Sequence, residues 1–472
     1  MTKFFAVLHG VAIGTVIFIS AVFITATIST KVDKLVVQNK VIDAIRTSEI
    51  QFFNGWDNII NDKRGLDACF GDSFVLQAAI LDHGRMWTDM FDTLNYDVKA
   101  PPCDVLVDIF GSHTIGPALD IYSYHRYWWG SAVIARIALG MTELSLKTYR
   151  SLMMMLSWLA LLLFVAAFVV AYGLVSASFF PLFISLGIGY GLLVMGQSIA
   201  HAPEFIVGLL LLSAYCVGKV QRFSVRVRAI FYSVLGGACV YFDVMDGTVV
   251  LITILLCCQL TAPYAARLLN LNNAQTAYSY TALAWEIVTN CSLVLTGGCI
   301  AIVLRILGYS TVSHANALDV ATEWTSKLSN RVSGGPLSEV AQPSLRMLVW
   351  PLRHVRHYPF HGFLSESTVD IFYGLSFAAW AIAMLLCWKL HRKGVSPVPA
   401  LGIVMAAALV PAWFLVFEQH TIVHAWMTVR LVTPFCGLGM SLVVLAGWAL
   451  ARTQSSRGQE NPASIFHKAE RF

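Results

Sequence analysis

Apolar residues run almost unbroken over 4–28, behind the short polar lead Met1-Thr2-Lys3. A run of about 25 residues is long for the apolar core of a signal peptide and matches a spanning helix, so the pattern predicts an uncleaved first span with its amino end in the cytoplasm. The pattern then changes. Over 31–126 charged and apolar residues interleave, and 32–50 mixes them at helical spacing, which predicts amphipathic helices resting on the membrane surface. Pro101-Pro102 breaks the second half of this stretch. The run 130–148 is apolar but short and carries Glu143 and Lys147, with Arg150 just beyond; it reads as a brief crossing or a re-entrant helix. Further apolar runs occupy 151–172, 177–195, 205–218, 229–242, 248–260, 280–304, 371–388, 399–417 and 431–451.

Cations fix the expected sidedness. Lys219, Arg222, Arg226 and Arg228 fall between two apolar runs, as do Lys389, Arg392 and Lys393, and Arg452 opens a basic tail. Such clusters belong in the cytoplasm. With the amino end inside, ten spans satisfy every cluster if 130–148 does not cross; if it crosses, one segment between 177 and 218 is re-entrant. The expected fold is an all-α polytopic membrane protein of about 10–11 transmembrane helices, one integral membrane domain over 1–472. Its first extracytoplasmic loop is 31–126, a second large one is 308–370, and 452–472 is a cytoplasmic tail. No internal repeat suggests transporter symmetry.

Composition agrees. Apolar residues make up 57% of the 472 and charged residues 12%, about half the share of a soluble protein, and mean hydropathy is +0.67. The net charge of +5 gives no case for a nucleic-acid partner. Eight of the ten cysteines sit in apolar runs and act as small apolar residues. Cys69 and Cys103 lie in the first loop, where they pair only if the compartment is oxidising and the geometry allows.

The first loop holds 14 of the 27 acidic residues in a fifth of the length. Asp67 and Asp72 stand out within it. They flank a turn-forming Gly71, have Leu66, Phe70, Phe74 and Val75 as apolar anchors, and precede a run, 74–81, suited to docking on the membrane face. Asp57, Asp62 and Asp82 compete with them, and most acids in an aqueous loop are merely solvated. A second constellation is His420, His424 and Arg430: the histidines share a face if helical, and an Arg fork with two imidazoles suits a phosphate, against the plainer reading of a polar interfacial loop. Arg126 sits in the aromatic cluster Tyr124, Tyr127, Trp128 and Trp129, an interfacial belt in which the Arg faces either head groups or a substrate phosphate. Arg346, Arg353, His354, Arg356, His357 and His361 form a basic patch for anionic lipid or a second phosphate. Glu286, with Asn290 one turn on, lies inside a span, where an ionisable group is costly. Asp243 and Asp246, and His201 with Glu204, sit at span ends facing the same outer cavity.

This layout resembles the GT-C superfamily of membrane glycosyltransferases: an amino-terminal span, a long acidic first outer loop, then many spans with short outer loops. The segment from Tyr127 through Gly140 to Arg150-Ser151-Leu152 is similar to their second helix and the Arg-bearing turn after it. Leu66-Asp67 with Asp72, Tyr124-His125-Arg126-Tyr127-Trp128-Trp129-Gly130, His420-Thr421-Ile422-Val423-His424 with Arg430, and Tyr241-Phe242-Asp243 are similar to motifs of poorly characterised bacterial multi-span members. The resemblance implies transfer of a sugar from a polyprenyl-phosphate donor to an envelope glycan or lipid acceptor, in a bacterial inner membrane, on its extracytoplasmic face. Asp67 then acts as general base and inversion at the anomeric carbon expels a lipid phosphate. Arg430, with His420, His424 or Arg126, stabilises the leaving charge. Asp72 orients the acceptor, or holds a magnesium or manganese ion if one is used. No other metal or cofactor is implied. Two other readings remain: a lipid-linked glycan polymerase or ligase resting on Arg353, Arg356 and His357, and a glycolipid flippase, which Glu286 favours.

Overall fold

Twenty-eight residues without a proline, Thr2–Ser29, form α1. A computed structural model describes residues 2–47, 70–96, 105–106, 121–123, 130–189, 192, 198–242, 248–269, 279–333, 366–417 and 429–458. After α1 come α2 (Lys34–Arg46), α3 (Phe70–Ile80), α4 (Met86–Phe91), the strands β1 (Leu94–Tyr96) and β2 (Ile121–Ser123), and α5 (Gly130–Met141). The long apolar elements are next: α6 (Leu146–Tyr172), the short α7 (Phe180–Ile184), α8 (Ala202–Gly218), α9 (Val225–Phe242), α10 (Thr248–Leu269) and α11 (Tyr280–Ser313). The rest are α12 (Ala317–Ser333), α13 (Glu366–Arg392), α14 (Val398–Val416) and α15 (Val432–Gly458).

Among the described residues eight helical stretches are long and apolar enough to cross a membrane. The expected number was ten or eleven, and the difference has a plain cause. The longest stretch, Leu146–Ile188, is two arms. It turns back at Gly173, whose φ of 61° and ψ of −139° suit only glycine, and Phe179 and Phe183 of the second arm each pack 5.3 Å from the Phe168 ring of the first. The other shortfall is α8, which has only 17 residues.

Helix direction is set by the contacts. Gly10, Gly14 and Phe18 of α1 meet Arg226, Ile230 and Gly237 of α9 in the same order, so α1 and α9 run parallel. α11 runs parallel to α9, with Gly297 against Ser233 and Ala301 clustered with Val240 and Tyr241. Tyr264 of α10 bonds Glu286 of α11, Arg452 of α15 bonds the Leu269 carbonyl of α10, and Trp380 of α13 bonds the Phe435 carbonyl. These pairings put Lys219, Arg222, Arg226, Arg228, Arg267, Lys389, Arg392 and Arg452 at one end of the bundle. Among the described residues Glu286 is the one acid near that end. α2 to α5 and the hairpin gather at the other.

Glycines allow the close crossings. A Cβ on Gly236 of α9 would stand 2.8 Å from the Val294 carbonyl carbon and 2.9 Å from the Gly298 nitrogen of α11. Small residues of this kind let helix backbones touch in lipid, where no hydrophobic drive brings helices together. Gly236→Leu should therefore force α9 from α11 and cost about 1–3 kcal/mol, read as a lower thermal midpoint in detergent. A midpoint equal to wild type would contradict the tight crossing.

Several expectations for the first loop change. Gly71 and Asp72 lie in the first turn of α3, not in a loop turn. The run 74–81 does not dock on the membrane: Val75, Leu76 and Ala79 are buried in one cluster with Val37, Val41 and Ala44 of α2 and Ala135 and Leu139 of α5. The apolar face of α2 is thus covered by protein. α5 spans only about 18 Å, just over half a bilayer core. It begins against Tyr241 at the loop-bearing end of α9 and finishes against Val32, so it stays at that end. α11 continues past 308 to Ser313 and α15 past 452 to Gly458.

Candidate functional site

The last carbonyls of a helix lack partners within it. At the end of α3 Arg136 supplies them: its Nε donates to Ala79 O at 2.6 Å, and its Nη2 to Leu81 O at 2.6 Å and Ala78 O at 3.1 Å. Its Nη1 lies 3.6 Å from Asp82 Oδ2. A cation there also faces the negative end of the helix dipole. The chain turns at Gly84, and three carboxylates organise the segment from that turn to the hairpin. Asp82 Oδ1 accepts from Gly84 N at 3.1 Å and Lys34 Nζ at 3.2 Å, and Asp89 Oδ1 accepts from His83 N at 2.6 Å. Asp92 holds His83 Nε2 at 3.0 Å and accepts from the Ser123 hydroxyl, while β1 and β2 pair antiparallel with Leu94 opposite Ser123.

This arrangement walls a small cleft, open to solvent, with about 40 Å³ of space accessible to water. Asp89, Asp92 and Arg136 line it together with Val22 and Ala26 of α1 and Tyr241 of α9. Tyr241 and Thr25 share a hydroxyl–hydroxyl bond of 3.2 Å. The other side of α1 exposes Phe23, Ile24 and Ile28, so one helix separates the cleft from an apolar exterior. Burial pushes the Asp89 carboxyl above its ordinary value, the His83 N–H bond opposes the rise, and the Asp82 charge adds to it. Among the described residues nothing bonds Asp89 Oδ2. The site therefore offers a carboxylate of raised basicity beside an apolar wall.

Asp72 is placed differently. It is buried, and its Oδ1 accepts from Ile199 N at 2.7 Å, Ser198 Oγ at 2.9 Å and Ala200 N at 3.2 Å, just ahead of α8. Its Oδ2 stands 3.7 Å from Arg150 Nε, and Ser131 Oγ donates to Ala200 O at 2.7 Å. Burial raises the Asp72 pKa, against the pull of Arg150, Ser198, Ala200 and His201. These contacts tie the first loop to the heads of α6 and α8, and Asp72 does not line the cleft.

Arg430 is buried at the start of α15, at the loop-bearing end. Glu286 accepts from the Tyr264 hydroxyl at 3.0 Å near the cation-rich end, away from the first loop. His201 and Glu204 are buried in the junction that Asp72 caps, rather than on the cleft. Asp67, Arg126, Asp243, Asp246, Arg353, Arg356, His357, His420, His424 and the Cys69–Cys103 pair lie outside the described residues. Sequence reasoning missed Asp89, Asp92, Arg136 and Arg305. The two arginines carried a usable signal, since Arg136 falls inside the apolar run 130–148 and Arg305 directly follows the run 280–304. No family model matches the chain, and neither does any curated protein or solved structure.

Proposed function

We propose that this integral membrane protein is a glycosyltransferase moving a sugar from a polyprenyl-phosphate donor to an envelope glycan or lipid acceptor. The carrying observation is the cleft, where Asp89, Asp92 and Arg136 face the apolar Val22 and Ala26 of α1. Such a surface suits an amphiphile: the head group meets charges while the chain lies along α1. Short connections rich in Lys and Arg belong in the cytoplasm, so the end with 219–228 and 389–393 is cytoplasmic and the cleft extracytoplasmic; a bacterial inner membrane fits that arrangement.

In this mechanism Asp89 removes the proton from an acceptor hydroxyl. That oxygen attacks the anomeric carbon, the bond from this carbon to the phosphate oxygen breaks with inversion, and the lipid phosphate departs with the electron pair. The cation that lines the cleft, Arg136, faces the leaving charge; Arg430 does not line the cleft, and Arg126, His420 and His424, the other cations expected for this role, lie outside the described residues. Asp67 is the alternative base, and Asp72 holds the frame.

Lipids retained by the purified protein provide the test. Mass spectrometry should find a polyprenyl-phosphate sugar, and that lipid should support transfer to a membrane glycan extract. Protein that carries only bulk phospholipid and transfers nothing from such an extract would sink the reading. The pH profile gives a finer check. A base must be ionised, so raising its pKa moves the acid limb of the rate upward. Asp82→Asn removes a like charge, lowers the Asp89 pKa, and should shift that limb to lower pH; a shift to higher pH contradicts the assignment.

A further inference from the structure

The segment that carries Asp89 has little hold of its own. α4 is six residues long and is succeeded by a three-residue strand. On one side Phe23 and Trp87 stack at 5.4 Å and Thr27 donates to Met86 Sδ at 3.2 Å. The stronger grip comes from α11. Arg305 is 1% exposed; its Nη1 donates to Met90 O at 2.5 Å and its Nη2 to Thr93 Oγ1 at 3.0 Å. One turn further on, Gly308 lies against the Phe91 ring.

Arg305 is a costly choice for an anchor. Removing an ion from water costs several kcal/mol, and well-packed apolar residues often stabilise as well. An apolar residue would not, however, fix two points of one segment. A planar fork bonded at Met90 and Thr93 sets both the position and the rotation of the backbone between them. Asp89 immediately precedes that span.

We infer that Arg305 is the positioning residue of the cleft, clamping residues 90–93 against α11 so that the Asp89 carboxylate is held towards the apolar wall of α1. Its importance for turnover rests on the role proposed for Asp89; the clamp itself does not.

The experiment reads the clamp without an activity assay. The full chain in lipid nanodiscs is treated with a water-soluble carbodiimide and an amine, which label protonated carboxyls, and Asp89 labelling is tracked by peptide mass spectrometry across pH. Arg305→Met should free the segment, let water reach Asp89 and move the midpoint of its labelling-against-pH curve to lower pH, because burial is what raises this carboxyl; the midpoint, unlike the amplitude, does not depend on how easily the reagent reaches the group. Asp43 on α2 serves as the internal control and should not change. Arg305→Lys, which keeps one donor nitrogen, should restore part of the shift. An Asp89 midpoint that is unchanged or higher in Arg305→Met overturns the inference. If that variant does not fold, Thr93→Val decides, because it removes only the Nη2 bond: a smaller downward shift supports the clamp and no shift overturns it. A downward shift in a protein that transfers no sugar would keep the clamp and discard the enzyme reading.

Discussion

Asp89→Asn should lower sugar transfer by about 10²–10⁴-fold, the usual contribution of a general base, while leaving donor binding near wild type. The substitution is nearly isosteric. The carbonyl oxygen of Asn can still accept the His83 N–H bond of 2.6 Å, so the turn into α4 should survive. Only the capacity to take a proton is lost. The loss should therefore appear in kcat, with little change in KM, because an acceptor proton moves only in the transition state. The measurement is transfer from the co-purified lipid donor, with retained donor counted by mass spectrometry. Wild-type turnover in this variant would move the base elsewhere, Asp67 first.

Asp72→Ala should act on stability rather than on chemistry. The carboxylate oxygen Oδ1 receives two peptide N–H groups and a hydroxyl at the head of α8, and Oδ2 faces Arg150. Truncation leaves those buried donors and a mostly buried guanidinium without their acceptor. Breaking a buried pair in this way costs about 3–5 kcal/mol. Asp72→Asn keeps one acceptor oxygen and should cost less. The pH dependence has a definite sign. The folded pKa lies above the unfolded value of 3.8, so the folded state binds this proton more tightly. The extra stability from binding this proton is complete below 3.8 and is lost as pH rises through the folded value, so the gap between wild type and Asp72→Ala should narrow with rising pH. Thermal unfolding in detergent at several pH values checks both statements. A variant as stable as wild type but without turnover would return Asp72 to the chemistry.

Much of the bundle was legible because its signals are local. Apolar runs gave the spans, and Gly173 fell in the gap expected between 172 and 177. α2 was readable from its helical spacing. The first-loop helices were harder. In 74–81 the apolar residues suggested contact with lipid, but nothing in the run itself tells lipid from the packed faces of α2 and α5. The glycine pairs Gly236-Gly237 and Gly297-Gly298 were visible, yet their meaning depends on two helices separated by a third. Arg136 and Arg305 are the plainest omissions. An ionisable group within or beside an apolar run is costly, and each of these two bonds the backbone that shapes the cleft.

Hydropathy and the placement of Lys and Arg in short connections determined a helical membrane protein with a definite sidedness, since span length and charge bias are properties of consecutive residues. The cleft was decided only by tertiary structure. Its walls come from Val22, Asp89, Arg136 and Tyr241, which no spacing rule connects. Asp89 differs from the more deeply buried Asp72 in lining the cleft, and that depends on what packs around the carboxyl rather than on its neighbours in sequence.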